Sequence, residues 1–133
     1  LAFYMWDLQT GKLLRPFAGH EKRIIGVKEL PNGNGNIVSY SDDKTMLLWN
    51  GRSGTLLKTF NADTNTVVKI SILDENRFLS YSDAGSMYIW SYTGELLASL
   101  LGHSSYITCF AIVMDTEKDS SQILSGSADG TIR

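Results

Sequence analysis

The chain has 133 residues, of which 43% are hydrophobic and 20% are charged, a composition of ordered globular proteins rather than of disordered or fibrous ones. Its formal net charge is −2, from 12 Lys and Arg against 14 Asp and Glu. This balance provides no overall basic field and argues against nucleic acid as a partner.

One cysteine and two histidines exclude an internal disulfide and argue against a zinc site. Cys109 lies in the apolar stretch "YITCFAIV", which predicts a buried structural thiol rather than a nucleophile. No apolar run approaches the roughly 20 residues that a membrane helix needs. We therefore expect no metal, no cofactor, no membrane and a reducing compartment such as the cytoplasm.

The predicted elements are all strands, as the stretch from Lys12 to Trp49 illustrates. Its runs are short, rich in β-branched and aromatic residues, and bounded by Gly, Asn, Asp or Pro, and no apolar pattern at helical spacing is sustained. The predicted strands cover residues 12–17, 23–30, 36–41 and 45–49. The chain is therefore predicted to be all-β.

The same pattern repeats along the chain. Trp6, Trp49 and Trp90 lie 43 and 41 residues apart, and each is followed by a polar turn with glycine and then an apolar strand. The stretch "VSYSDDKTMLLWN" at 38–50 returns as "LSYSDAGSMYIWS" at 79–91 and begins again as "LSGSADGTIR" at 124. A period of this length is typical of the four-stranded antiparallel blade of a β-propeller. The sequence therefore predicts three consecutive four-stranded blades.

These repeats resemble the WD-repeat β-propeller family. The resemblance covers essentially the whole chain and is carried by Gly19-His20, Gly102-His103, the turns "SDDKT" and "SADGT", and Trp6-Asp7. It implies a propeller that forms part of a seven-bladed ring and acts as a scaffold.

We treat residues 1–133 as a single propeller segment with repeat boundaries near Trp6, Trp49 and Trp90 and a last blade truncated before its tryptophan. Closed propellers have about four to eight blades. We therefore expect the ring to be completed by further blades of a longer chain or by other copies.

In the family a His, a Ser or Thr, an Asp and a Trp form a hydrogen-bonded chain within a blade. Here the resemblance implies a complete set in the first repeat, only the Ser and Trp in the second, where Asp63 and Ala84 replace the His and Asp, and no Trp in the third. The positions are His20, Ser39, Asp43 and Trp49; Ser80 and Trp90; and His103, Ser125 and Asp129. Recurrence of this set argues for structural hydrogen bonds rather than for a catalytic triad, and we expect no enzyme activity.

The resemblance also implies a partner-binding top face, formed by positions three and five residues after the His and one before the turn Asp. These positions are Arg23, Ile25, Asp42, Thr66, Val68, Asp83, Tyr106, Thr108 and Ala128. Arg and Tyr are enriched at interaction hot spots, although each position taken singly also suits an ordinary solvated loop.

The predicted function is a non-catalytic scaffold or sensor module that binds a protein or peptide on the top face. The alternative is a regulatory or substrate-adaptor propeller of a multidomain enzyme or signalling protein whose catalytic part lies outside this segment. Lys22, Arg23 and Lys28 cluster near one strand entry and leave RNA association as a weaker third hypothesis. The glycines of "PNGNGN" suit a strand-connecting turn, not a phosphate loop.

Overall fold

Short strands separated by tight turns make up the fold. The computed structural model describes residues 1–31, 33–60, 65–115 and 120–133, and the regular elements in these ranges are twelve strands. They are β1 (Ala2–Trp6), β2 (Leu13–Ala18), β3 (Ile24–Glu29), β4 (Asn36–Ser41), β5 (Met46–Asn50), β6 (Leu56–Phe60), β7 (Val67–Ile72), β8 (Arg77–Ser82), β9 (Met87–Ser91), β10 (Leu96–Leu100), β11 (Ile107–Asp115) and β12 (Ser120–Ser127). Across those four ranges, no helix is both long and apolar enough to traverse a membrane.

All strand pairs are antiparallel and join neighbours in sequence. β3 to β6 form one four-stranded sheet and β7 to β10 form another, while β1–β2 and β11–β12 form two-stranded sheets. A single bridge between Gly126 and Ile132 follows β12. The all-β class and the four-stranded antiparallel blade are confirmed.

The sequence period and the blade are out of phase by one strand. The stretch from Lys12 to Trp49 is one sequence period with four strands, but its first strand, β2, pairs with β1 and not with β3. The tight turn after each tryptophan folds the next strand back onto the tryptophan strand, as the pairs Trp6–Leu13 and Trp49–Leu56 show. The strands of three repeats therefore form two complete blades with half a blade on either side.

The core lies between the faces of neighbouring sheets. Phe17 and Trp49 are buried between the β1–β2 sheet and the first complete blade, where Phe3 stacks on Phe17 with ring centroids 4.5 Å apart. Phe60 and Trp90 pack edge to face at 5.2 Å between the two complete blades. Because each sheet buries apolar faces against the next, the blades stabilise one another.

Cys109 differs from its prediction, because its side chain is exposed. It pairs in register with Gly126, which has no side chain to cover the sulfur. In the first complete blade the equivalent pair has its glycine on the other strand. Gly26 of β3 lies opposite Tyr40 of β4, whose ring covers it. An apolar sequence context could not reveal what the partner strand supplies.

Candidate functional site

The first repeat brings its four predicted residues into one hydrogen-bonded chain. His20, in the loop before β3, has its Nδ1 2.9 Å from Asp43 Oδ2 and its Nε2 2.7 Å from Ser39 Oγ. Trp49 Nε1 donates to the same Ser39 oxygen at 2.8 Å. His20, Ser39 and Trp49 are each at most 2% exposed. This chain ties the entry loop of the blade to β4 and β5.

The proton positions in this chain follow from the donors and acceptors. An indole N–H can only donate, so Ser39 Oγ accepts from Trp49 and also lies 2.7 Å from His20 Nε2. Nδ1 faces the Asp43 carboxylate, which can only accept, so a ring proton lies on Nδ1 and is donated to Asp43. Both imidazole nitrogens therefore have a hydrogen-bond partner.

Asp43 is the anionic end of this chain. Burial raises its pKa, but hydrogen bonds from the Thr45 hydroxyl, the Glu21 N–H, His20 and the Thr45 N–H outweigh burial and hold the pKa well below its usual range. The Thr45 hydroxyl reaches Asp43 Oδ1 at 2.5 Å, and the Glu21 N–H reaches Oδ2 at 2.9 Å. The carboxylate therefore stays ionised and fixes the turn between β4 and β5.

The third repeat has the same arrangement around His103. Its Nδ1 is 2.9 Å from Asp129 Oδ2 and its Nε2 is 2.9 Å from Ser125 Oγ. Hydrogen bonds from the Thr131 hydroxyl, then from the Ser104 and Thr131 N–H groups and His103, lower the pKa of Asp129 despite some burial. Where Ser39 accepts from an indole, Ser125 Oγ instead contacts the Arg133 carbonyl at 3.4 Å.

The second repeat retains only its serine and tryptophan. Trp90 Nε1 donates to Ser80 Oγ at 2.9 Å, and Ser80 is 1% exposed. Ala84 is exposed in the β8–β9 turn, and Asp63 lies outside the described residues. The hydrogen bond from the indole therefore still joins β9 to β8, but the turn between these strands has no carboxylate at position 84.

The predicted top-face residues meet in pairs. In each repeat one backbone hydrogen bond joins two of these positions. The donor N–H belongs to the residue just before the turn Asp position. The acceptor carbonyl belongs to the residue three after the His position. These bonds are Asp42 to Arg23 at 3.0 Å, Asp83 to Thr66 at 3.1 Å and Ala128 to Tyr106 at 3.1 Å. Each entry loop is thus joined to the turn between the second and third strands of its blade.

The remaining three predicted residues all lie at irregularities of strand pairing. The register shifts between Ile24 and Gly26, between Val67 and Lys69, and between Ile107 and Cys109. The extra residues are Ile25, Val68 and Thr108. A bulge re-aims a side chain and is common next to functional sites.

The top-face side chains differ in exposure and charge. Arg23 Nε lies 2.8 Å from Asp42 Oδ2, with the two side chains 79% and 34% exposed, and this hydrogen bond raises the pKa of Arg23. Tyr106 is 54% exposed. Val68 is partly buried against the core cluster that includes Leu79 and Tyr81, and the Thr108 hydroxyl donates to the Gly126 carbonyl at 3.1 Å. Arg23 and Tyr106 are therefore more accessible than Val68.

Sequence reasoning missed a second serine in each repeat. Ser41 Oγ donates to the Lys22 and Arg23 carbonyls at 3.2 and 2.9 Å, and Ser127 Oγ makes the equivalent bonds to Ser105 and Tyr106. Ser82 holds the same position in the second repeat and accepts from the Ser86 N–H. The signal was present as the recurring Ser-x-Ser pattern.

The geometry does not favour nucleophilic catalysis. Ser39 is 0% exposed, and its oxygen is engaged by both His20 and Trp49. Throughout the ranges that the structure describes, no group of three His, Cys, Asp or Glu residues is placed to hold a metal ion. The His, Ser and Asp side chains instead hold loops and strands together.

Comparison with known proteins places this architecture. The family described as "WD domain, G-beta repeat" matches residues 11–50 and 94–133. The chain is similar to autophagy-related protein 16 of Arabidopsis thaliana, with 26% identity over 95% of this chain and 24% of that protein. It is also similar to the SIR4-interacting protein SIF2 of Saccharomyces cerevisiae, with 32% identity over 68% of this chain and 16% of that protein.

Among solved structures, the C-terminal WD40 domain of Sif2 superposes with a TM-score of 0.72 and 29% identity, covering 98% of this chain and 36% of that one. The chain thus spans about a quarter or less of the length of the two curated relatives. Proteins with these repeats generally mediate protein–protein interactions, and their propellers are generally non-catalytic scaffolds. Since the two matched repeats cover more than half of the residues, the chain belongs to the WD-repeat family.

Proposed function

We propose that the chain is a non-catalytic docking module whose top face binds a protein or peptide. The observation that carries this proposal is the pairing of each entry loop with the neighbouring turn, which presents Arg23 with Asp42, Thr66 with Asp83, and Tyr106 with Ala128 at equivalent places in three repeats. Loops held on a rigid scaffold are a common location of binding residues.

The exposed groups indicate what kind of partner would fit. Arg23 is oriented by Asp42 and remains 79% exposed, so it can still meet an acidic group. Asp83 is exposed and can receive a basic group, while the ring of Tyr106 offers apolar area. We propose a peptide segment of mixed charge with an apolar residue beside its charged groups.

Alanine substitution on the full chain tests this proposal. Peptides selected by display provide the partner, and calorimetry measures the affinity of Arg23→Ala and Tyr106→Ala. Because truncation of a hot-spot residue costs about 2 kcal/mol or more, we expect each substitution to weaken binding about thirty-fold.

Two matched controls come from other surfaces. Arg77 is also an exposed arginine paired with an aspartate, Asp74, but it lies at the opposite edge of its blade, and Tyr4 is as exposed as Tyr106. Arg77→Ala and Tyr4→Ala should change the affinity less than two-fold. The proposal is wrong if these two substitutions abolish binding while the two top-face substitutions do not.

A regulatory or adaptor propeller within a multidomain enzyme or signalling protein is the second candidate. It is favoured by the small share of each relative that the chain covers, 24% of one and 16% of the other. A catalytic domain in the same polypeptide, whose activity responds to a top-face peptide, would select this candidate over a freestanding scaffold.

The seven-bladed ring and its completion, by further blades or by other copies, stay predictions, as does the cytoplasmic location. The mass and oligomeric state of the intact protein distinguish the two routes to a closed ring.

A further inference from the structure

A cavity that is a candidate second site lies at the edge of the blades opposite the top face. The turns between β3 and β4 and between β5 and β6 meet at this edge, because the strands run antiparallel. The cavity of about 360 Å³ opens here between the β1–β2 sheet and the first complete blade. Its volume lies in the range of small-ligand pockets.

The cavity has an apolar part and a charged part. Met5 and Ile37 provide apolar surface, and both belong to the aromatic core around Trp49. Arg15, Arg52 and Glu29 provide the charged lining. Backbone of two turns completes the wall at Gly35 and Gly51.

The interface between the two complete blades has larger side chains at the positions that correspond to this cavity. Tyr92 corresponds to Gly51, because its N–H bonds the Asn76 carbonyl as that of Gly51 bonds the Gly35 carbonyl. Phe78 corresponds to Ile37, since each pairs with the tryptophan of its blade. These two correspondences place two large rings where the first interface has a glycine and an isoleucine.

The two rings occupy the space at the second interface. Tyr92 stacks on Phe78 with centroids 6.4 Å apart, and its hydroxyl donates to the Asp74 carbonyl at 2.5 Å. At the first interface a side chain cannot take that place, because a Cβ at Gly51 would lie 2.2 Å from the Gly35 carbonyl oxygen. The close approach of the two turns therefore keeps the cavity open.

Arg15 has a hydrogen-bond donor that lacks a partner, and this donor indicates what kind of ligand the cavity would accept. Its Nε is buried, and the described residues provide no hydrogen-bond partner for it. A buried donor without a partner costs about 1–3 kcal/mol, so rotation of the Arg15 side chain toward an acceptor in the cavity that it lines recovers this free energy. The planar guanidinium matches a carboxylate, which accepts two parallel hydrogen bonds.

The charges favour one class of anion. Arg15 and Arg52 together with Glu29 leave one net positive charge in the lining. A single carboxylate balances that charge, whereas a phosphate dianion would place excess negative charge beside Glu29. Met5 and Ile37 favour an aliphatic group attached to the carboxylate.

We propose that this cavity binds a carboxylate carried on a small aliphatic body, with Arg15 as the principal contact and Arg52 as the second cation. The carboxylate belongs either to a small organic acid or to the C-terminus of a peptide. This site is distinct from the top face and does not depend on the proposed docking function.

Binding of 4-methylpentanoate to the full chain tests the proposal, with its neutral isostere 4-methylpentanamide as the matched ligand. The NMR signal of the Arg15 Nε–Hε group reports the contact directly. We expect the acid to shift this signal saturably and to bind at least ten-fold more tightly than the amide or inorganic phosphate. Equal binding of the amide or of phosphate would overturn the proposal.

Two variants separate the charge from the cavity. Arg15→Gln removes the guanidinium, and Ile37→Phe introduces the ring of Phe78 into the cavity without changing charge. Each should weaken binding of 4-methylpentanoate at least ten-fold. Lys58, which pairs with Leu48 as Arg15 pairs with Met5, provides the control Lys58→Gln, for which we expect unchanged binding.

The outcome does not depend on one variant. If Arg15→Gln does not fold, Ile37→Phe and the comparison of acid with amide still decide the matter. Full binding by Ile37→Phe, or by a folded Arg15→Gln, would exclude the cavity as the site. The peptide acetyl-Gly-Gly-Leu with a free C-terminus identifies the source: tighter binding than 4-methylpentanoate indicates a peptide, and weaker binding indicates a small acid.

Discussion

Ser39 shows how one hydroxyl organises a blade at the scale of single residues. Its oxygen accepts a hydrogen bond from the Trp49 indole N–H and lies 2.7 Å from His20 Nε2, so three buried polar side chains satisfy one another. Buried polar networks of this kind are strong only when every member is paired. The charged end of the network is Asp43, whose ionised carboxylate makes it sensitive to acid.

The low pKa of Asp43 predicts loss of stability in acid. Because hydrogen bonds in the folded state lower this pKa below its ordinary value of 3.8, the unfolded chain takes up the proton first as the pH falls. The contribution of Asp43 is therefore complete well above pH 3.8 and is lost progressively on acidification. Urea unfolding at a series of pH values from 7 to 3 measures this dependence.

Asp43→Asn removes the charge but keeps an acceptor for His20. We expect the variant to be less stable than the original chain at pH 7 and its free energy of unfolding to fall less steeply below pH 5. The total dependence will not vanish, since the pKa of Asp129 is also lowered. An unchanged slope would show that Asp43 does not contribute to the acid response.

Several of these residues could be predicted from the sequence because their repeats resemble the WD-repeat family. The Ser, Asp and Trp positions keep fixed spacings from one another within a repeat, which also identified Ala84 as a departure. Arg15 could not be found in this way, because the cavity beside it depends on Ile37 in β4 and Gly51 in the turn after β5. Its buried Nε is a property of packing between sheets.

At the scale of elements, strand bounds were predictable and strand register was not. The run 45–49 was predicted and β5 spans Met46–Asn50, because turn residues mark both ends. The bulges at Ile25, Val68 and Thr108 leave no trace in composition, since a bulge depends on which residues oppose each other across two strands. These bulges nevertheless decide where three candidate contact residues point.

The second complete blade should open more readily than the first. Asp43 links the β4–β5 turn to His20, whereas Ala84 in the corresponding turn of the second blade has no carboxylate to offer. A net hydrogen bond contributes about 0.5–1.5 kcal/mol, so we expect amide exchange about ten-fold faster at Leu79 than at Val38. Both residues are 0% exposed and occupy the same register position.

Native-state hydrogen exchange measured by NMR decides this comparison. Ala84→Asp alone should leave the exchange at Leu79 within about two-fold, since an orienting carboxylate also needs its histidine. Protection at Leu79 equal to that at Val38 in the original chain would contradict the prediction.

At the scale of the whole molecule, blades also touch through their turns. Gly85, in the β8–β9 turn, faces the loop of the next repeat, and a Cβ there would lie 2.4 Å from the Ser105 carbonyl oxygen. Gly130 has the same backbone conformation, with φ of 82° against 86°, but has open space around it. Lys44 shows that a side chain is tolerated at this turn position when space allows, at φ of 67°.

This pair separates backbone strain from contact between blades. We expect Gly130→Ala to lower the free energy of unfolding by about 1 kcal/mol through its positive φ alone. Gly85→Ala carries the same strain and also forces the neighbouring loop away, for a total of about 3 kcal/mol. Urea denaturation of both variants checks the difference, and equal losses would mean that the two repeats do not touch tightly at this turn.

The length of the repeat predicted the propeller, but it does not indicate which strand of a repeat begins a blade. Spacing between tryptophans is the same wherever the repeat is said to begin, so the sequence could not assign β2 to the sheet of β1. That assignment depends on the tight turn after Trp6, which brings Leu13 opposite the tryptophan.

The one-strand offset has a consequence for how such chains grow. Each of the first two repeats contributes its first strand to one blade and its other three to the next, so each of these repeats joins two sheets. Duplicating one period of 41 to 43 residues anywhere along the chain would insert a complete blade and leave no strand unpaired at the junction. Blade number can therefore change by whole units during evolution or engineering, while every internal sheet keeps four strands.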